Sequence, residues 1–232
     1  MTQPLSGYTV GVAGDRRGDD LPALLEARGA RVVIAPTAIR RPVNAYRWVS
    51  PADLAPLHRL IDLIIGRLVD AVTFAAAADV HALLTTAAPQ DDAILDALGA
   101  DVLAVCVGRR TAAPLRKHGV PALVPTRNAV VEALVGELPR RALSLEVAGH
   151  SLTLRGHAAV LDGEIHLLAP APMAVLRTLA TTPGSVLSRA VLQRALPRGG
   201  DEHTVEMAVA RLRAAIPGVV QTVVRRGYRL AA

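Results

Sequence analysis

His203-Thr204-Val205-Glu206-Met207-Ala208-Val209-Ala210-Arg211-Leu212-Arg213, followed by Gln221-Thr222-Val223 and Gly227-Tyr228-Arg229, decides how the last part of this chain folds. At 100° per residue, Val205, Val209, Leu212 and Ile216 fall in one apolar stripe of a helix, which must pack inward. The opposite face carries His203, Glu206, Met207, Ala210 and Ala214, with Thr204 and Arg211 at its margin. A helix with such a thin, small-residue face can enter a groove about 12 Å wide, and arginines at its edges can reach phosphates or guanine. Beyond the Pro217-Gly218 break, Val219 to Val224 and Tyr228 to Leu230 are predicted to form a hairpin through Arg225-Arg226-Gly227.

Upstream of this helix, two more are predicted over Pro172 to Thr181 and Ser188 to Leu196, with Ser188 as N-cap. Four short strands precede them, over Leu143 to Val147, Ser151 to Arg155, Ala158 to Leu161 and Glu164 to Leu168. Their connections, Ala148-Gly149-His150, Gly156-His157 and Asp162-Gly163, have hairpin-turn composition, so the strands form an antiparallel meander. Before Arg141 the pattern differs. Apolar runs without alternation, Tyr8 to Ala13, Arg31 to Ala35, Ala71 to Phe74, Val102 to Val107 and Pro121 to Val124, are predicted as strands. The predicted helices between and after them are Asp19 to Arg28, Asp53 to Arg67, Asp79 to Ala87, Arg110 to His118 and Ala129 to Leu138. Such strands belong to a parallel sheet covered on both faces, and five of them fit a flavodoxin-like doubly wound domain. The expected architecture is therefore an α/β domain over residues 1–141 followed by an α+β domain over residues 142–232.

The whole chain has 232 residues, of which 51% are hydrophobic, 20% charged and 2% aromatic, too apolar and too sparsely charged for disorder. The single cysteine, Cys106, excludes an intrachain disulfide. The first residues lack the succession of a signal peptide, and apolar stretches such as Leu63-Ile64-Ile65-Gly66-Arg67 are repeatedly broken. A soluble cytoplasmic protein with no membrane association is the expectation. The formal charge of +6 comes almost entirely from arginine, since Lys117 is the only lysine, a usage that a GC-rich genome also produces. Residues 1–141 carry 16 basic and 14 acidic side chains, net +2, whereas residues 142–232 carry 10 and 6, net +4. Any contact with nucleic acid is therefore expected at the C-terminal end. No Walker A, no Gly-x-Gly-x-x-Gly after the first strand and no Cys/His cluster is present, so neither cofactor nor metal is expected. His58, His81 and His118 are isolated on helices and read as surface or packing residues rather than catalysts. Asp15, Asp19 and Asp20 lack the strand-end Asp and later Lys that would complete a phosphorylation site.

The order of four strands, three helices and a basic hairpin resembles the OmpR/PhoB-type winged-helix effector domain of response regulators. In that family the corresponding run reads Arg-Thr-Val-Asp-Val-His-Ile-x-x-Leu-Arg, then Thr-Val-Arg-Gly-x-Gly-Tyr-Arg. The resemblance implies that His203, Thr204, Met207, Arg211, Arg213, Thr222, Arg225, Arg226 and Tyr228 face double-stranded DNA. It also implies RNA polymerase as a partner, although the loop Pro197-Arg198-Gly199-Gly200 that commonly meets it is short. His203, Ala208, Ala210 and Val224 stand where the family carries basic or histidine residues, which leaves fewer charged contacts.

The first half resembles uroporphyrinogen-III synthase, in Gly7-Tyr8-Thr9-Val10-Gly11-Val12, Arg16-Arg17 and Leu24 to Ala30, and again in Val43 to Trp48, Asp70 to Phe74 and Val107-Gly108 with Thr111-Ala112. That family has two flavodoxin-like domains with the tetrapyrrole between them, whereas here the chain passes from Ala35 to Tyr46 where an entire domain is expected. The combination resembles synthase-like transcriptional regulators of actinobacteria. By this resemblance Tyr46 is the catalytic candidate, and Arg16, Arg17, Thr73, Gly108 and Thr111 are ligand-binding candidates for a tetrapyrrole or other carboxylate-rich small molecule. A helix N-terminus such as that after Gly108 favours anions. Alternatively, Tyr46 and Trp48 only pack over the shortened junction. Ala75 and Ala76 stand where the family usually has a hydroxyl. The expected function is a DNA-binding transcriptional regulator with a reduced sensor or dimerisation domain. The alternative is hydroxymethylbilane cyclisation, which requires a homodimer to rebuild the cleft.

Overall fold

The computed structural model describes residues 3–14, 20–37, 39–41, 47–49, 53–196 and 201–231, and the chain divides into two compact units, Met1–Arg141 and Ala142–Ala232. Arg16, Arg17, Tyr46 and the 197–200 loop lie outside the described residues.

In the first unit β1 (Thr9–Ala13), β2 (Arg31–Ala35), a short hairpin of β3 (Ile39–Arg41) and β4 (Arg47–Val49), β5 (Ala71–Phe74), β6 (Leu103–Cys106) and β7 (Ala122–Leu123) are interleaved with helices. These are α1 (Leu21–Glu26), α2 (Ala55–Ile65), α3 (Ala77–Ala87), α4 (Asp91–Ala100), α5 (Arg109–Lys117) and α6 (Val130–Arg141). The five parallel strands run in the order β2-β1-β5-β6-β7, the doubly wound flavodoxin-like arrangement. Strand alternation explains the two covered faces. Ala13, Val72, Phe74, Ala104 and Cys106, of one parity, join a core with Leu60 of α2 and Leu83 of α3. Their neighbours Val10, Val12 and Val105, of the other parity, are buried as well. Gly11 lets α2 pack closely on the sheet, because a Cβ on it would lie 2.6 Å from Leu60 Cδ1 and would force that side chain to shift. Cys106 is fully buried, and burial pushes its thiol up to about 12 against a smaller opposing effect of Arg116.

The second unit opens with the antiparallel meander β8 (Leu143–Val147), β9 (His150–Leu154), β10 (Ala158–Leu161) and β11 (Glu164–Leu167), ordered β11-β10-β9-β8. Helices α7 (Pro170–Ala180), α8 (Arg189–Ala195) and α9 (Glu202–Ala215) follow, and the hairpin β12 (Val220–Val223) and β13 (Gly227–Leu230) ends the unit. Leu187 bridges Tyr228 through two backbone hydrogen bonds of 2.8 and 2.9 Å, which ties the hairpin to the start of α8. The inward stripe of α9 is as periodicity demands: Val205, Val209, Leu212 and Ile216 are all buried, joined by Ala208. This is the winged-helix arrangement of an α+β domain.

Helix α4 and the β3–β4 hairpin are additions to the predicted elements. The predicted helix over Asp19 to Arg28 is shorter, spanning Leu21–Glu26, and α6 continues to Arg141 through Pro139.

Candidate nucleic-acid interface

Helix α9 is started by its own sequence. Asp201 precedes it in extended conformation, and its Oδ1 accepts the Thr204 N–H at 2.8 Å and the Thr204 hydroxyl at 2.6 Å. These bonds, the hydroxyl first, hold the Asp201 carboxyl below the usual carboxylate range. Thr204 is therefore half-buried and occupied as part of the cap, while His203, Glu206, Met207, Ala210, Arg211 and Ala214 are exposed. Glu206 in turn lies 3.3 Å from the Arg189 Nε of α8.

The arginines divide into two groups. Arg213 donates from Nε to the Val220 carbonyl at 3.1 Å and from Nη2 to the Thr222 hydroxyl at 2.7 Å, and its guanidinium lies 5.9 Å from the Tyr228 ring centroid. Arg189 lies 5.6 Å from the same centroid. Tyr228 is only 5% exposed, so its ring serves as a platform between α8, α9 and the hairpin. Arg229 is held across the hairpin by two bonds to the Gln221 side-chain Oε1, at 3.2 and 3.1 Å. Of the sequence-derived DNA candidates, Arg213, Thr222 and Tyr228 are thus joined to one another, and Thr204 to Asp201.

Arg211, Arg225 and Arg226 form the second group. All three are exposed, and none makes a side-chain hydrogen bond or ion pair among the described residues. The last two sit at the hairpin tip, a turn closed by the Arg226 N–H to the Val223 carbonyl at 2.9 Å, with Arg225 at φ +60° and Val224 77% exposed beside them. Helix phase already sets Arg211 at the margin of the outward face and Arg213 closer to the buried stripe, and the position of β12 gives Arg213 its partners.

In the first unit, a small pocket lies at the C-terminal ends of β1, β5 and β6, lined by Val12, Gly14, Thr73, Ala75, Val107 and Arg127. This is where an open parallel sheet offers a ligand site. The polar groups expected to serve it face inward. The Thr73 hydroxyl donates to the Gly11 carbonyl at 3.4 Å, the Thr111 hydroxyl to the Val107 carbonyl at 2.8 Å, and the Gly108 N–H to the Pro125 carbonyl at 3.3 Å. The start of α3 beside it is already capped. Asp79, buried, accepts the Ala76 N–H at 2.8 Å and the Thr37 hydroxyl at 2.6 Å, a pairing that sequence reasoning missed. No group of three or more His, Cys, Asp or Glu residues placed to hold a metal occurs among the described residues, nor does a helix long and apolar enough to cross a membrane.

Two family models match the chain: uroporphyrinogen-III synthase HemD over residues 3–136, and the C-terminal domain of transcriptional regulatory proteins over residues 163–230. A protein of Methanothermobacter thermautotrophicus named for uroporphyrinogen-III synthase is 32% identical over 114 residues, covering 49% of this chain and 42% of that protein. The uroporphyrinogen III synthase of Thermus thermophilus aligns at 29% identity over 59% of this chain and 50% of its own, with a TM-score of 0.35. The DNA-binding domain of Klebsiella pneumoniae RstA, solved in complex with the RstA box, aligns at 26% identity over 38% of this chain and 96% of its own, with a TM-score of 0.33. The chain thus spans half or less of the length of these synthase relatives.

Proposed function

The chain belongs to the uroporphyrinogen-III synthase HemD family through its first unit, and from that premise we propose that it is a DNA-binding transcriptional regulator. In this reading the synthase-like unit is a sensor or dimerisation module, and the OmpR/PhoB-type second unit, matched over residues 163–230, reads double-stranded DNA. The observation that carries it is the set of three guanidiniums left uncommitted, Arg211 on the outer face of α9 and Arg225 and Arg226 on the wing. Helix α9 enters the major groove, Arg211 meets phosphate or guanine at its edge, and the wing arginines take an adjacent backbone or minor groove. Arg213, Thr222 and Tyr228 place the wing against the helix. The test is selection of bound sites from a random duplex library by the full chain. A recurrent motif is the expected result, and recovery of the library without enrichment would overturn the assignment. Two copies of the motif at one-turn spacing would support a homodimer.

The ligand of the first unit is a tetrapyrrole or other carboxylate-rich molecule at the C-terminal edge of the sheet, with Arg16, Arg17, Gly108 and Thr111 nearest in sequence to that edge. Because Thr73 and Thr111 spend their hydroxyls on backbone carbonyls, side-chain charge and helix ends would have to supply most of the binding. A second reading, cyclisation of hydroxymethylbilane with Tyr46 assisting loss of the hydroxyl, is favoured by the family match alone. A coupled assay that yields only uroporphyrinogen I would refute it.

A further inference from the structure

We infer that α9 selects its site by apolar contact with thymine 5-methyl groups, with Met207 as the main reader. The inference rests on the DNA-binding reading above and goes beyond it to the sequence that is preferred. At 100° per residue, His203, Met207, Ala210 and Ala214 fall within about 60° of one another and form a single outward ridge. All four are exposed, and Met207, at 42%, is among the few large apolar side chains left open to solvent. Three of the four have no hydrogen-bonding group in the side chain.

The polar neighbours of the ridge do not make up for this. Thr204 is bonded to Asp201, Glu206 is drawn to Arg189, and Arg213 is spent on Val220 and Thr222. In the major groove every base edge presents donors or acceptors, thymine O4 among them, and those covered by the helix lose their water and need a partner. Met207, Ala210 and Ala214 give them none, which leaves His203 as the one hydrogen-bonding side chain of the ridge. Thymine alone presents a methyl group there, and its burial against Met207 or an alanine is favourable. Alanine at 210 and 214 removes the bulk that would hold the helix away from the base edges.

Charge identifies the occupant of the ridge as DNA rather than a second copy of the chain. Arg211 borders the ridge, the wing adds Arg225 and Arg226, and residues 142–232 carry a net +4. Two such cationic faces would repel each other.

The experiment uses the full chain and a site obtained by the selection described above, with each thymine in turn replaced by uracil, which removes only the methyl. Competition binding at fixed salt should show a loss of about fourfold at one or more positions, the value of one buried carbon. Met207→Ala should abolish the distinction between thymine and uracil at one of those positions, whereas Met207→Leu, which keeps the apolar bulk, should retain it. A recurrent site that tolerates uracil at every position would overturn the inference and leave the DNA-binding reading standing. So would a uracil penalty that survives in Met207→Ala, or a Met207→Asp variant that disrupts self-association and leaves DNA binding intact. Absence of any enriched site overturns both.

Discussion

Gly227 shows how much of the wing depends on one residue. Its φ is +132°, and a Cβ built on it would lie 2.0 Å from the Leu187 carbonyl oxygen, the same oxygen that accepts the Tyr228 N–H. Because the obstructing atom is backbone, no rotamer change relieves the clash. Gly227→Ala should cost about 2–4 kcal/mol from strain and overpacking, measured as a lower urea midpoint. An unchanged midpoint would mean that the hairpin is not anchored at Leu187. The same scale separates the arginines. Tyr228 gives Arg189 and Arg213 a common platform, and the hydrogen bonds of Arg213 fix the distance between α9 and the wing. Arg211, Arg225 and Arg226 remain available.

Among the elements, α9 is the one whose start is written most plainly in the chain. Asp201 stands one turn ahead of Val205, where the buried stripe begins, and Thr204 reciprocates the cap. Since the native Asp201 carboxyl is held below its ordinary value, the cap contributes fully above the ordinary carboxylate pKa and is lost as pH falls through the depressed native one. Asp201→Ala should therefore be less stable than the parent at neutral pH, with the difference in urea midpoint shrinking on acidification below about pH 4. A difference independent of pH would contradict this account of the cap. The strands and most helices were legible because their apolar periods are clean and their ends carry Gly or Pro. Helix α4 was not, because Ala-rich residues run from α3 into it with only the Ala88–Gln90 turn between. The β3–β4 hairpin was missed for a different reason: three-residue strands containing Arg40, Arg41 and Arg47 show no alternation long enough to register. The candidate DNA face was legible as a helix face and a basic hairpin. Which arginines stay uncommitted was not, since that depends on how Val220 and Thr222 stand beside Arg213.

For the molecule as a whole, the excess charge is concentrated in the unit that carries Arg211, Arg225 and Arg226. Residues 142–232 hold +4 of the formal +6, and the last five arginines fall at or after Arg211 with no acidic residue beyond them. The first unit is a single doubly wound sheet in which the hydroxyls of Thr37, Thr73 and Thr111 and the buried Asp79 carboxylate are bonded within the fold. The proposed function places recognition of DNA in the second unit. The most direct test of this division is the salt dependence of duplex DNA binding by the full chain, compared with the Arg211→Ala, Arg225→Ala, Arg226→Ala triple variant between about 50 and 200 mM salt. If the three guanidiniums each neutralise a phosphate, the negative slope of log affinity against log salt becomes about 3 less steep in the variant. An identical slope in both proteins would contradict the assignment of α9 and the wing as the DNA-binding face.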